Sequence, residues 1–208
     1  MSFARSRGCA TLVGIAFLLA GAVASAAPLK STDALVRRLT RAGRADVRVL
    51  QTVTAAGDTV RKLRGRLALE PPDRLWLEDT AGGERLTVRG DGGEWLQPAA
   101  RQMLVLRPEQ ALRAASVWRL LLSAEGDAFQ ERSLGGGGYV LTPRQGSQAP
   151  AETVWVRVAA DGLPARIEAR AGEERWDLRF SGWKFGRARG PQGFMLRAPA
   201  GYVVVEWP

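Results

Sequence analysis

The chain of 208 residues has no histidine and a single cysteine, Cys9. Arg5 and Arg7 precede an apolar run, TLVGIAFLLAGAVA (residues 11–24), which ends at the small-x-small triplet Ala24-Ser25-Ala26. This is the layout of a secretory signal peptide, and the run is short for a membrane span, so residues 1–26 read as a cleaved leader rather than an anchor. Cys9 lies at the start of the run, badly placed for lipid modification, and leaves with the leader. Residues 27–208 then carry neither Cys nor His. That excludes disulfides, thiolate or imidazole metal ligands, cysteine nucleophiles and Ser-His-Asp triads. Export without cysteine fits a bacterial periplasm, where disulfides are permitted but not required.

Other absences narrow the reading further. No second apolar run approaches twenty residues, so the mature chain is expected to be soluble. There is no G-x-S-x-G, no glycine-rich phosphate loop and no nucleotide fingerprint, and GGGG (135–138) lacks the Lys-Ser/Thr of a phosphate cradle. The paired carboxylates Glu173-Glu174 fall in a hairpin turn, where a solvated role outweighs acid/base work. Neither an enzyme, a cofactor nor a metal is expected. No internal repeat or linker appears, so residues 27–208 are expected to form one domain.

What is present is positive charge and period-two patterning. Lys and Arg number 30 against 21 Asp and Glu, for a net charge of +9. A basic surface suits nucleic acid or anionic headgroups. Here the cations are scattered, and Arg157, Arg166, Arg170 and Arg179 alternate with apolar residues, as on the solvated face of a sheet. Nucleic-acid binding is not expected.

STDALVRRLTRAG (31–43) reads as a helix, with Ser31 or Thr32 to cap it, Gly43 to end it, and Leu35, Leu39 and Ala42 on one face. Strand patterns follow at 47–55, 60–70, 74–78, 84–90, 94–97 and 101–107, separated by turn residues. PEQALRAASVWRLLLS (108–123) reads as a second helix opening on proline, with Ala111, Ala115, Trp118, Leu121 and Leu122 on one face. Strands resume at 127–133, 138–143, 152–160, 165–171 and 174–183, and then as FMLRAP and YVVVEW. The expected fold is α+β and mainly antiparallel: an unclosed, highly curved barrel of about eleven strands, its helices lying inside the curve.

Several stretches, taken in order, resemble the LolA family of periplasmic lipoprotein carriers. They are GRLALEPPDRLWLE, VRGDGGEWLQPAARQ, GGYVLTP, VWVRVAADGLPARIE and FMLRAPAGYVVV. The resemblance covers the whole chain after the leader. It implies an unclosed barrel with helices over the concave face, a monomer, and a carrier that shields the acyl chains of lipoproteins between the inner and outer membranes. An inner-membrane releasing transporter and an outer-membrane receptor are implied as partners. It also implies that Leu67, Leu69, Leu75, Leu77, Met103, Trp176, Leu178 and Phe180 line an acyl-chain cavity. Leu35, Leu39, Trp118, Leu121 and Leu122 would cover it from the lid helices, with Met103 or Trp118 making adaptable contacts.

Two departures stand out. The family's lid-latching Arg position holds Pro71, and the nearby Arg66 and Arg74 have the wrong parity to point inward. The segment Trp95–Pro98 is one residue shorter than the family pattern. These leave room for a carrier or sensor of another amphiphile, a glycolipid or a polyene-type lipid. A structural or adaptor domain with a packed interior is the alternative of a different class, and a secreted hydrolase ranks last.

Overall fold

The computed structural model describes residues 29–115, 117–122, 126–147, 149 and 151–207, so the leader expected at residues 1–26 lies outside the described residues. Helix α1 (Lys30–Ala42) comes first, with Leu35 and Leu39 buried on one face. Gly43 ends it at φ 97°, a left-handed conformation that glycine adopts without a Cβ penalty, and its N–H donates to the Leu39 carbonyl at 2.7 Å. The start differs from expectation. Ser31 and Thr32 lie inside the first turn and are buried, and the capping group comes from far along the chain. The Glu131 carboxylate accepts the N–H groups of Lys30 (2.7 Å) and Ser31 (2.9 Å), an anion at the positive end of the helix.

Twelve strands follow: β1 (Arg44–Ala55), β2 (Asp58–Glu70), β3 (Arg74–Asp79), β4 (Arg85–Arg89), β5 (Gly92–Gln97), β6 (Gln102–Leu106), β7 (Phe129–Gly135), β8 (Gly138–Pro143), β9 (Thr153–Val158), β10 (Pro164–Ala171), β11 (Glu174–Gly186) and β12 (Val203–Glu206). They form one curled sheet in the order β12-β6-β5-β4-β3-β2-β1-β11-β10-β9-β8-β7, with β12 and β7 as unpaired edges among the described residues. Neighbours are antiparallel except β12, which runs parallel to β6. Period-two alternation sorts the side chains. On β1, Ala45, Val47, Val49, Gln51 and Val53 are buried on the concave side, while Arg48, Leu50 and Thr52 face outward. A single apolar cluster fills the concave side, from Phe129, Leu141, Val154 and Ile167 to Leu75, Val88 and Leu106, with Leu35, Leu39 and Trp118 packed into it.

Two expected elements take another form. The second helix is short: α2 spans Pro108–Ala114, and Trp118–Leu122 is a separate 3-10 turn. Val117, Trp118, Leu120 and Leu121 are all buried, so packing against the sheet overrides the modest gain from continuing the helix. FMLRAP is not a strand. It follows a 3-10 turn at Pro191–Phe194, and side chains of the sheet satisfy its backbone. Arg89 donates to the Phe194 carbonyl at 2.8 Å, and Glu94 accepts the Leu196 N–H at 3.3 Å.

Candidate functional site

At the strand-tip end of the concave face the apolar filling stops, leaving a cavity of about 570 Å³. Its floor runs across adjacent strands: Gln51 on β1, Leu63 on β2, Leu77 on β3, Leu86 on β4, Trp95 on β5 and Leu106 on β6. Ala114 and Trp118 roof it, and Trp176 and Trp207 stand at its sides. Trp118 is buried, with its ring edge-on to Phe180 at 6.3 Å. Trp207 stacks on Trp95 at 5.4 Å and 15°. The Trp207 N–H donates to the Val105 carbonyl, and its own carbonyl accepts from Gln110, so the C-terminal segment forms one end wall.

The rim is charged, and most of its charges are paired. Arg61 contacts Glu84 at 2.9 Å and lies over the Trp95 ring, whose indole N–H donates to the same carboxylate. Arg85 pairs with Glu78, and the Trp176 indole donates to Glu174. One polar wall group is different. Gln51 is only 3% exposed, lines the cavity, and its side-chain amide has no hydrogen-bond partner among the described residues.

The structure sorts the residues expected in the cavity. Leu77, Trp118 and Trp176 line it. Leu67, Leu69, Leu75 and Leu178 are fully buried in the packed cluster beyond its end, and Phe180 supports Trp118 from behind. Leu35, Leu39 and Leu121 are buried in the same cluster and Leu122 is half-buried against it, so these helical residues cover packed core rather than open space. Met103 is a correction. Leu104 and Leu106 of β6 face inward, which turns Met103 to the convex side opposite Leu96. β6 is apolar at both parities, so its pattern could not select the face. Gln51, Trp95 and Trp207 were missed. A glutamine between valines in VRVLQTV was the available signal for the first, whereas the pairing of residues 95 and 207 exists only in the folded chain.

Among the described residues, no hydrogen bond joins the Pro71 site to the helices. Arg74 faces the convex side, where it donates to the Pro71 carbonyl and pairs with Glu70 at 2.7 Å. Glu70, 1% exposed, also accepts the N–H groups of Arg189 (2.6 Å) and Gly190 (3.1 Å), tying the C-terminal crossover to the β2–β3 turn. Helix α1 is held instead by Glu131 and by Arg38, which donates to the Asp161 carbonyl and lies over Phe185.

The convex face carries the alternating cations. Arg157, Arg166 and Arg179 stand opposite one another across β9–β11. Arg166 and Arg179 share Asp177. Burial raises that carboxyl's pKa, but the Arg166 and Arg179 hydrogen bonds and charges outweigh it and hold the group below its ordinary value. Among the described residues, no cluster of His, Cys, Asp or Glu could hold a metal ion, and no helix is long and apolar enough to cross a membrane.

No family model and no curated protein matches the sequence. Solved structures do. An uncharacterised conserved protein from Thermus thermophilus superposes with a TM-score of 0.50 at 15% identity, over 86% of this chain and 98% of its own. This likeness shows the fold alone. A LolA superfamily protein from Nitrosomonas europaea gives 0.42 at 11% identity, over 79% and 97% of the two chains. The Mycobacterium tuberculosis lipoprotein LppX gives 0.40 at 13%, over 74% and 92%.

Proposed function

We propose that this protein is an extracytoplasmic carrier that shields the acyl chains of an amphiphile in its concave cavity. The observation that carries this reading is the apolar trough walled by Leu63, Leu77, Leu86, Leu106 and four tryptophans, beneath a rim of mostly paired charges. Apolar walls of this size suit a lipid tail, and the rim suits a headgroup left in water. In the form that the LolA resemblance gives, the cargo is a lipoprotein moving from an inner-membrane transporter to an outer-membrane receptor through the periplasm. Catalysis has no part in it.

The size of the cavity favours a second reading, a carrier or sensor of a smaller free amphiphile. Three acyl chains with roughly 45 methylenes would gain about 36 kcal/mol at ~0.8 kcal/mol each, beyond the ceiling of noncovalent affinity. They would also need on the order of 1,300 Å³ at ~30 Å³ per group, against the 570 Å³ present. Native mass spectrometry of the protein, taken from a detergent-free periplasmic extract, separates the readings. A mass increase equal to an intact lipoprotein supports the first, and one equal to a free lipid supports the second. A folded Leu77→Glu variant that holds cargo as well as the native protein would overturn the placement of cargo in the trough.

A further inference from the structure

The Gln51 amide makes no hydrogen bond to the described residues and opens on the cavity from an otherwise apolar floor, so its donor and acceptor are free for a ligand there. Its neighbours across the sheet are Leu63 and Leu178, neither of which offers a side-chain hydrogen bond. Two residues further along β1, Val53 stands opposite Arg61 and Trp176, so the amide lies about 7 Å inside the charged rim. From there the trough crosses β2 to β6 and ends at Leu106 and the Trp95–Trp207 stack. Five inter-strand spacings make this path about 24 Å along the sheet. A single chain spans about 15 Å in one leaflet of a bilayer, half of the ~30 Å hydrocarbon core. The cavity volume corresponds to about nineteen methylene-sized groups at ~30 Å³ each.

We propose that the cavity seats one acyl chain, and that Gln51 hydrogen-bonds the ester or amide carbonyl that joins this chain to its headgroup. This rests on the carrier reading and specifies its ligand. The amide N–H₂ donates to the carbonyl, the chain lies across the strands with its end against the tryptophan pair, and the headgroup sits among Arg61, Glu84 and Glu174. The shared chemistry is an acyl carbonyl followed by one long chain. A lipoprotein or a free lysolipid can supply it.

The test uses two probes that share a phosphocholine headgroup and a sixteen-carbon chain. Palmitoyl-lysophosphatidylcholine has the carbonyl, and its 1-O-hexadecyl ether analogue, with the same glycerol and hydroxyl, lacks only that group. The delipidated protein should bind one molecule of either, read by native mass spectrometry, with the acyl probe about tenfold tighter by calorimetry, the worth of one buried hydrogen bond. Gln51→Leu should erase that tenfold difference, and Gln51→Met, closer in shape, should do the same. A preference that survives in both variants, or two or more lysolipids per protein, overturns the proposal. Failure of both probes to bind the native protein overturns the carrier reading itself. A tripalmitoylated lipopeptide that displaces the lysolipid one for one assigns the seat to a lipoprotein chain; one that does not displace it assigns the seat to a free amphiphile.

Discussion

Replacing Glu70 with alanine should destabilise the protein far more than its position at the end of β2 suggests. The carboxylate is 1% exposed and holds three groups: the Arg74 guanidinium and the N–H groups of Arg189 and Gly190. Removing it orphans two backbone donors and strips Arg74 of its anion, while the Pro71 carbonyl stays as a partner. Breaking a buried ion pair by deleting one member costs ~3–5 kcal/mol. The Arg74 side chain keeps 21% of its area in solvent, which moves the expected loss to the lower end, about 3 kcal/mol. That is a large part of the ~5–15 kcal/mol available to a domain, and corresponds to a fall in Tm of roughly 6–12 °C. Urea denaturation followed by tryptophan fluorescence reads it directly, and Glu70→Gln should lose less because it keeps an acceptor. A loss under about 1 kcal/mol for Glu70→Ala, measured at unchanged m-value, would refute the view that this carboxylate fastens the C-terminal crossover.

Two further outcomes follow from the same geometry. Glu94 is buried, which raises its carboxyl pKa, yet hydrogen bonds from Arg89, Thr87 and the Leu196 N–H, with the charge of Arg89, outweigh burial and hold the folded-state pKa below the ordinary value. A depressed folded-state pKa contributes stability that is fully present above the unfolded value and is lost as pH falls through the folded one. The native protein should therefore exceed Glu94→Gln in stability at pH 7, and the gap should narrow on acidification below about pH 4; a gap independent of pH would contradict this. Glu131→Ala should cost ~1–2 kcal/mol and speed hydrogen exchange in the first turn of α1, because it removes the acceptor for the Lys30 and Ser31 N–H groups. Exchange unchanged at those residues would mean that Arg38 and the buried leucines hold the helix alone.

The sequence alone determined most of the architecture. Period-two stretches and turn residues mark strands because a pleated chain with one buried face must alternate, and the scarcity of helices forces the sheet to curl on itself. The helix at 30–42 and the outward parity of Arg66 and Arg74 were legible for the same local reasons. Tertiary structure decided what depends on residues far apart in the chain. Glu131 caps a helix about a hundred residues away, and Glu94 and Arg89 hold FMLRAP out of the sheet. Buried contacts broke the second helix, and register alone turned Met103 outward. The division between packed core and open trough is likewise tertiary. Leu75 and Leu77 have the same pattern, face the same way and belong to the same buried cluster, yet only Leu77 also borders the cavity. Alternation reports which face a side chain takes. Only the packed chain sets how far the opposite wall lies from it.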